Sequence, residues 1–177
     1  MVAALAVTDT VTTLVPISAE IKWPNDVLVR GKKISGILVE TGLQADHRAF
    51  AVVGIGLNVN LNPVAYPEIS NTATSLSAEA GQEMSGAMVL CMLLTRFEYW
   101  YDALLRDEKV FEAWRANLTM LGKETQMLVG GVLYEGVAED VAPDGALLLR
   151  SREGRLIRMS AGDVTLKTSG FEGLKVN

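Results

Sequence analysis

Lys22-Trp23-Pro24-Asn25-Asp26 is the stretch that organises the rest of the chain. Pro24-Asn25-Asp26 has turn chemistry, because proline presets its φ angle and Asn and Asp bond back to nearby backbone. Ile17 to Trp23 before it predicts a strand, and Val27-Leu28-Val29 after it a second. Gly31-Lys32 is a tight reversal, and a two-residue connection makes its flanking strands antiparallel. Lys33 to Glu40 is a third strand, followed by a polar loop from Thr41 to His47. Ala49 to Leu57 is nearly all apolar, which predicts a central strand buried on both faces.

Working outward, Ala4, Val7, Val11 and Leu14 recur at helical spacing and predict an amphipathic helix ended by Pro16. No cap precedes that helix, so the chain reads as opening in the middle of a domain. Residues 60 to 76 hold Pro63, Pro67, Asn62 and Asn71 and predict a long loop; such loops in compact domains are usually functional. Ala87 to Leu105 predicts a helix with Val89, Leu93, Phe97, Trp100 and Leu104 on one face. A shorter helix covers Lys109 to Asn117. From Leu121 the pattern turns to period two. Strands are expected at 126–129, 131–137, 146–150, 156–159 and 164–167, separated by Gly130-Gly131, Pro143-Asp144-Gly145, Arg152-Glu153-Gly154 and Ala161-Gly162-Asp163. Five short strands suggest a small closed barrel of the SH3 type. The expected organisation is an α/β (α+β) domain over residues 1–119, with a mixed sheet and helices on one face. A barrel over 120–168 and a frayed tail over 169–177 follow.

Hydrophobic residues make up 49% of the 177, enough for a packed core, and the net charge is −5, which gives no bulk attraction to nucleic acid or an anionic membrane. The one cysteine, Cys91, lies in an apolar run and reads as a small core residue. No uncharged apolar run reaches the length of a membrane span, and the start lacks the basic segment and cleavage site of a signal peptide. The expected compartment is the cytoplasm.

Several residues are candidates for chemistry. Lys22 and Asp26 flank the first turn, and Lys33 introduces an apolar strand that Gly36 interrupts. Taken alone, these fit either a solvated hairpin or, at Gly36, a bulge or a close backbone approach by a ligand. Gly54-Ile55-Gly56 lacks the third glycine and the immediate helix of a dinucleotide fingerprint, so that reading is rejected. The two glycines fit either close packing or a flat ligand laid on the strand. Asn58, at the strand's end, offers amide donors and an acceptor. His47, the only histidine, reads as a solvated loop residue, and no Cys/His cluster has metal-site spacing.

Lys22-Trp23-Pro24-Asn25-Asp26, then Lys33, then Gly36-Ile37-Leu38-Val39-Glu40, then Gly54-Ile55-Gly56-Leu57-Asn58, resembles the biotin protein ligase family in order, spacing and letters. Thr74-Ser75-Leu76 and the segments Gly145 to Leu149 and Gly162 to Lys167 extend the resemblance to nearly the whole chain. The resemblance implies part of the class II synthetase-like biotin/lipoate ligase fold and a two-step reaction. Biotin is activated by ATP, with Mg²⁺, to biotinyl-adenylate. A lysine of a biotin carboxyl carrier protein then attacks the mixed anhydride. By the same resemblance, Lys33 contacts the biotin carboxyl and phosphate oxygens, and Gly36 and Leu38 line the biotin pocket. Gly54 and Leu57 wall its other side. Asn25 and Asn58 contact the adenylate, Lys22 helps hold phosphate or the hairpin, and Asp26 is the candidate base for the incoming lysine. Family members often pair through the central sheet, so a homodimer is expected. The family's glycine- and arginine-rich loop is expected upstream and is not in this sequence, nor is a DNA-binding domain. Ala73 occupies the position of an adenine-stacking aromatic. The rival expectations are a lipoate or octanoate transferase and a catalytically incomplete biotin-adenylate-binding module.

Overall fold

The computed structural model describes residues 1–43, 49–160 and 162–166. His47 and the tail from 169 to 177 lie outside the described residues. The chain divides into two compact units, Met1–Asn117 and Leu118–Asn177.

The first unit opens with α1 (Val2–Leu14), whose Ala3 to Val7 are all buried. Thr8 and Thr10 are buried too, and each hydroxyl donates back to the carbonyl four residues earlier, Ala4 at 2.8 Å and Ala6 at 2.7 Å. That local bond satisfies a polar group that would otherwise be costly inside. Val15 is extended, the conformation that a residue before proline prefers.

Four strands follow in sequence order: β1 (Ala19–Lys22), β2 (Asp26–Val29), β3 (Lys32–Leu43) and β4 (Ala49–Leu57). All three ladders are antiparallel. The expected mixed sheet is therefore corrected to an antiparallel one; the parallel contact is an isolated bridge between Lys33 and Ala73. Ala19, Ile21, Val27, Val29, Ser35 and Ile37 form the buried face, which α1 covers. The β2–β3 turn centres on Arg30 (φ 51°) and Gly31 (φ 76°), closed by the Val29–Lys32 pair. It lies one residue earlier than the sequence suggested. Positive φ at both central residues suits the right-handed twist of a hairpin.

Two expectations fail here. Thr41 to Leu43 belong to β3 rather than to a loop. β4 is neither central nor buried: it lies at the sheet edge, with Val52 56% and Phe50 43% exposed. An apolar run says that a strand can be covered, not that this part of the chain supplies the cover.

Between the sheet and the long helix lie a 3₁₀ turn at Pro63–Ala65, which interrupts the expected loop, and α2 (Leu76–Ala80), which begins at that loop's last residue. α3 (Gly86–Leu105) is capped by Ser85 and packs on α1 through a face that includes buried Val89 and Leu93. Leu104, expected on that face, is exposed. Cys91 is exposed as well, correcting the core assignment: two residues from both Val89 and Leu93, it falls on the far side of the helix. α4 (Val110–Ala116) buries Val110 and Trp114, four apart.

The second unit holds β5 (Glu124–Val129), β6 (Val132–Val141), β7 (Leu147–Ser151), β8 (Leu156–Met159) and β9 (Asp163–Leu166). The strand order is β8-β7-β6-β5-β9, all antiparallel. The expected closed SH3-like barrel is corrected: the sheet is open, with β8 and β9 at opposite ends of its order and no ladder between them among the described residues. Five period-two strands specify the pairing of neighbours but not closure, which needs the end strands to meet. Met127, Ala138, Leu147 and Leu149 are its buried centre.

Candidate functional site

Opposite the helix-covered face, the first sheet carries the candidate residues on an open face. In a regular strand, residues three apart point to opposite sides, which would separate Lys33 from Gly36. A register shift at Val27/Leu28 changes this: Gly36 pairs with Asp26, Ser35 with Val27, and Lys33 with Leu28. Ile34 is the extra residue. Lys33 therefore shares a face with Leu28, Asp26 and Gly36. Lys22 pairs with Asp26 and lies on that face too.

Lys33 Nζ meets Asp26 Oδ1 at 2.6 Å, with the lysine side chain 47% and the aspartate 18% exposed. The ammonium crosses above Gly36, where a β-carbon would come within 3.1 Å of both Lys33 Cε and Nζ. A side chain at 36 would make the lysine's tip give way by a few tenths of an ångström. Across the strand stand Gly56, paired with Gly36, and Gly54, paired with Leu38. A β-carbon at Gly54 would meet nothing closer than 3.8 Å, and one at Gly56 nothing closer than 3.7 Å. Neither has a positive φ, so the described chain itself does not require glycine at either position. The result is a side-chain-free strip of backbone, with an ammonium–carboxylate pair at one end and Leu38, 63% exposed, beside it.

The other candidates sit differently. Leu57 pairs with Ser35 and so points toward the helix-covered face. Asn25 is tied to β3: its Nδ2 donates to Ile37 O at 2.8 Å, and Ile37 N donates to Asn25 O at 2.9 Å. This extends the β2 ladder past the turn, next to buried Trp23 and the cis Trp23–Pro24 bond. Asn58 is fixed at three points. Its N donates to Ile34 O (2.9 Å), its Nδ2 to Thr74 O (3.0 Å), and its O accepts from Leu76 N (3.0 Å).

Sequence reasoning flagged Gly56 and the 73–76 segment, but not that this segment pairs beside Lys33. Lys33 N donates to Thr72 O at 2.8 Å, and Thr74 N donates to Lys33 O at 2.9 Å. Thr74, Ser75 and Leu76 are all buried, and Ser75 Oγ both caps α2 and donates to Leu61 O. The available signal was a serine with an acidic residue in the next turn. Among the described residues no cluster of three His, Cys, Asp or Glu could hold a metal ion, and no helix is long and apolar enough to cross a membrane.

Two family models match: the Biotin/lipoate A/B protein ligase family over residues 1–60 and the biotin protein ligase C-terminal domain over residues 120–167. A bifunctional ligase/repressor BirA of Bacillus subtilis is 32% identical over 169 residues, covering 94% of this chain and 52% of the relative. A biotin–[acetyl-CoA-carboxylase] ligase of Mycobacterium tuberculosis is 35% identical over 172 residues, covering 93% and 60%. The chain thus spans about half the length of the curated relatives it matches. Among solved structures, the biotin protein ligase of Aquifex aeolicus in complex with biotin and ATP aligns with a TM-score of 0.77 at 28% identity, covering 95% of this chain and 70% of that one. With the two models together matching more than half of the chain, the curated relatives aligned along nearly all of it and the fold shared with a solved biotin protein ligase, the chain belongs to the biotin protein ligase family.

Proposed function

We propose that this chain takes part in ATP-dependent attachment of biotin to a lysine of a carboxyl carrier protein, through biotinyl-adenylate. The observation that carries the reading is the Lys33–Asp26 pair at the end of the strip formed by Gly36, Gly54 and Gly56. A flat bicyclic ligand can lie on backbone that bears no β-carbons, with its carboxylate reaching the ammonium. In the first step a biotin carboxylate oxygen attacks the α-phosphorus of ATP and pyrophosphate leaves. Lys33 stabilises the charge that shifts onto the phosphate oxygens as this happens. Leu38 and Gly54 flank the ring. Leu57 supports the strand from its other face, and Asn25 and Asn58 hold the strand ends that frame the adenylate. Lys22 adds positive charge for phosphate. In the second step the carrier lysine attacks the mixed anhydride and AMP leaves, with Asp26 accepting the lysine's proton.

A magnesium ion would come with the triphosphate. The described residues offer it no protein-held cluster, so no step is assigned to it. The proposed division of labour gives residues 1–119 the chemistry and 120–168 an accessory sheet. The edge of β4, which has no neighbouring strand on its outer side among the described residues, suits the pairing of two copies, and the cytoplasm is where ATP and carrier domains would be met. Curated relatives named for biotin ligation favour biotin over lipoate. The test is calorimetry of the chain with biotin, lipoate and a non-hydrolysable biotinyl-adenylate analogue. The analogue is expected to bind more tightly than biotin, and lipoate least. Preference for lipoate, or no binding of the analogue, would overturn the reading.

A further inference from the structure

Behind Lys33 runs a chain of contacts that touches no proposed ligand. Thr74 Oγ1 donates to Glu79 Oε1 at 2.6 Å. The other oxygen of that carboxylate, Oε2, meets Arg30 of the β2–β3 turn at 3.3 Å. The Glu79 side chain is only 10% exposed, while Arg30 is 74% exposed. Thr74 in turn brackets the site by its backbone. Its N–H donates to Lys33 O, and its carbonyl accepts from Asn58 Nδ2. One carboxylate therefore joins three separate segments: the hairpin turn three residues before Lys33, the segment paired beside Lys33, and the first turn of α2. A carboxylate so largely withdrawn from water is stabilised only with its hydrogen bonds intact. Its two oxygens are each committed, so the position of Thr74 is narrowly held. The Lys33 peptide inherits that constraint from both sides, through Thr72 and Thr74.

We propose that Glu79 is a positioning residue for Lys33, acting through Thr74. The proposal rests on the biotinyl-adenylate reading above. The bulge turns the Lys33 side chain onto the open face, and the Glu79–Thr74 bond holds the segment with which the Lys33 backbone pairs. Arg30, mostly in water, adds little by itself.

The experiment is a double-mutant cycle on the whole chain, read as the affinity for a non-hydrolysable biotinyl-adenylate analogue. Glu79→Ala is expected to weaken binding about tenfold in the otherwise unaltered protein, and less than about twofold when Lys33 is already alanine. Thr74→Val removes only the hydroxyl and is expected to show the same coupling, which guards against a Glu79→Ala protein that fails to fold. Glu79→Gln retains an acceptor for Thr74 and is expected to restore most of the affinity. Equal losses with and without Lys33, or no loss at all, would overturn the proposal, since a merely structural carboxylate weakens both backgrounds alike. If the unaltered chain does not bind the analogue, the proposed function itself has failed, and the positioning role falls with it.

Discussion

In β6 a β-carbon at Gly136 would overlap the carbonyl oxygen of Arg150 and come within 2.8 Å of its carbon, whereas in β4 a β-carbon at Gly54 would stop 3.8 Å short of Leu38 O. Both glycines interrupt strands, and neither has a positive φ. At Gly136 the reason for glycine is internal, because two backbones approach too closely for any side chain. At Gly54 and Gly56 the fold supplies no such reason, and the vacancy faces outward. Gly36 stands between the two cases: a β-carbon there would crowd the tip of Lys33, which can give way. A strand glycine thus marks close approach, and the structure tells whether the approaching object belongs to the protein.

The sharpest way to break this contrast is Gly136→Ala. Overpacking against rigid backbone cannot be relieved by a rotamer change, so the thermal midpoint is expected to fall by roughly 10 °C or more; a fall of under about 3 °C would show that β6 and β7 separate easily. Lys33→Ala tests the other end of the strip. It is expected to slow biotin-dependent release of pyrophosphate by about 10²-fold, while Lys32→Ala, on the opposite face, changes it less than about twofold; equal effects would remove Lys33 from its role. Gly54→Val should separate binding from folding. Biotin affinity is expected to drop about tenfold or more, with the thermal midpoint unchanged or raised, because valine suits a strand better than glycine. A large loss of stability would return Gly54 to a packing role.

The smallest effect is expected in the second sheet, at Glu139. The hydrogen bond from Arg150 holds its carboxyl below the usual range. A carboxyl depressed in the folded state adds stability above its unfolded pKa, and that stability is lost as pH falls through the lower folded value. Glu139→Gln should therefore slightly flatten the acid limb of unfolding and leave neutral behaviour nearly unchanged, since the pair is solvent-exposed. A clear loss at neutral pH would mean that the pair does more than an exposed ion pair can.

Much of the local structure was legible because periodicity records what each face touches. Val27 and Val29 alternate with Asp26 and Leu28, and the second sheet's strands fall where glycine turns divide period-two runs. The lysine–aspartate pair was legible only as letters. Its geometry depends on a bulge at Ile34; Gly36 hinted at a bulge or a close approach in this strand, but not at which residue parity breaks. The burial of β4 was misread for a different reason: apolarity is a property of a segment, whereas cover is supplied by other segments. Glu79 escaped notice because its partners, Thr74 and Arg30, become neighbours only after the 60–76 segment folds back on Lys33.

The edge position of β4 has a consequence for the protein's life in concentrated solution. Ala49 to Leu57 contains no charged residue and no proline, two of the devices by which natural proteins discourage an edge from recruiting another strand. Its outward row of amides and carbonyls is a template for any extended chain that drifts alongside, and Phe50, Val52 and Val53 give the newcomer an apolar lining. A lysine introduced at Val52 is therefore expected to lessen self-association of the chain on concentration and heating, read by light scattering.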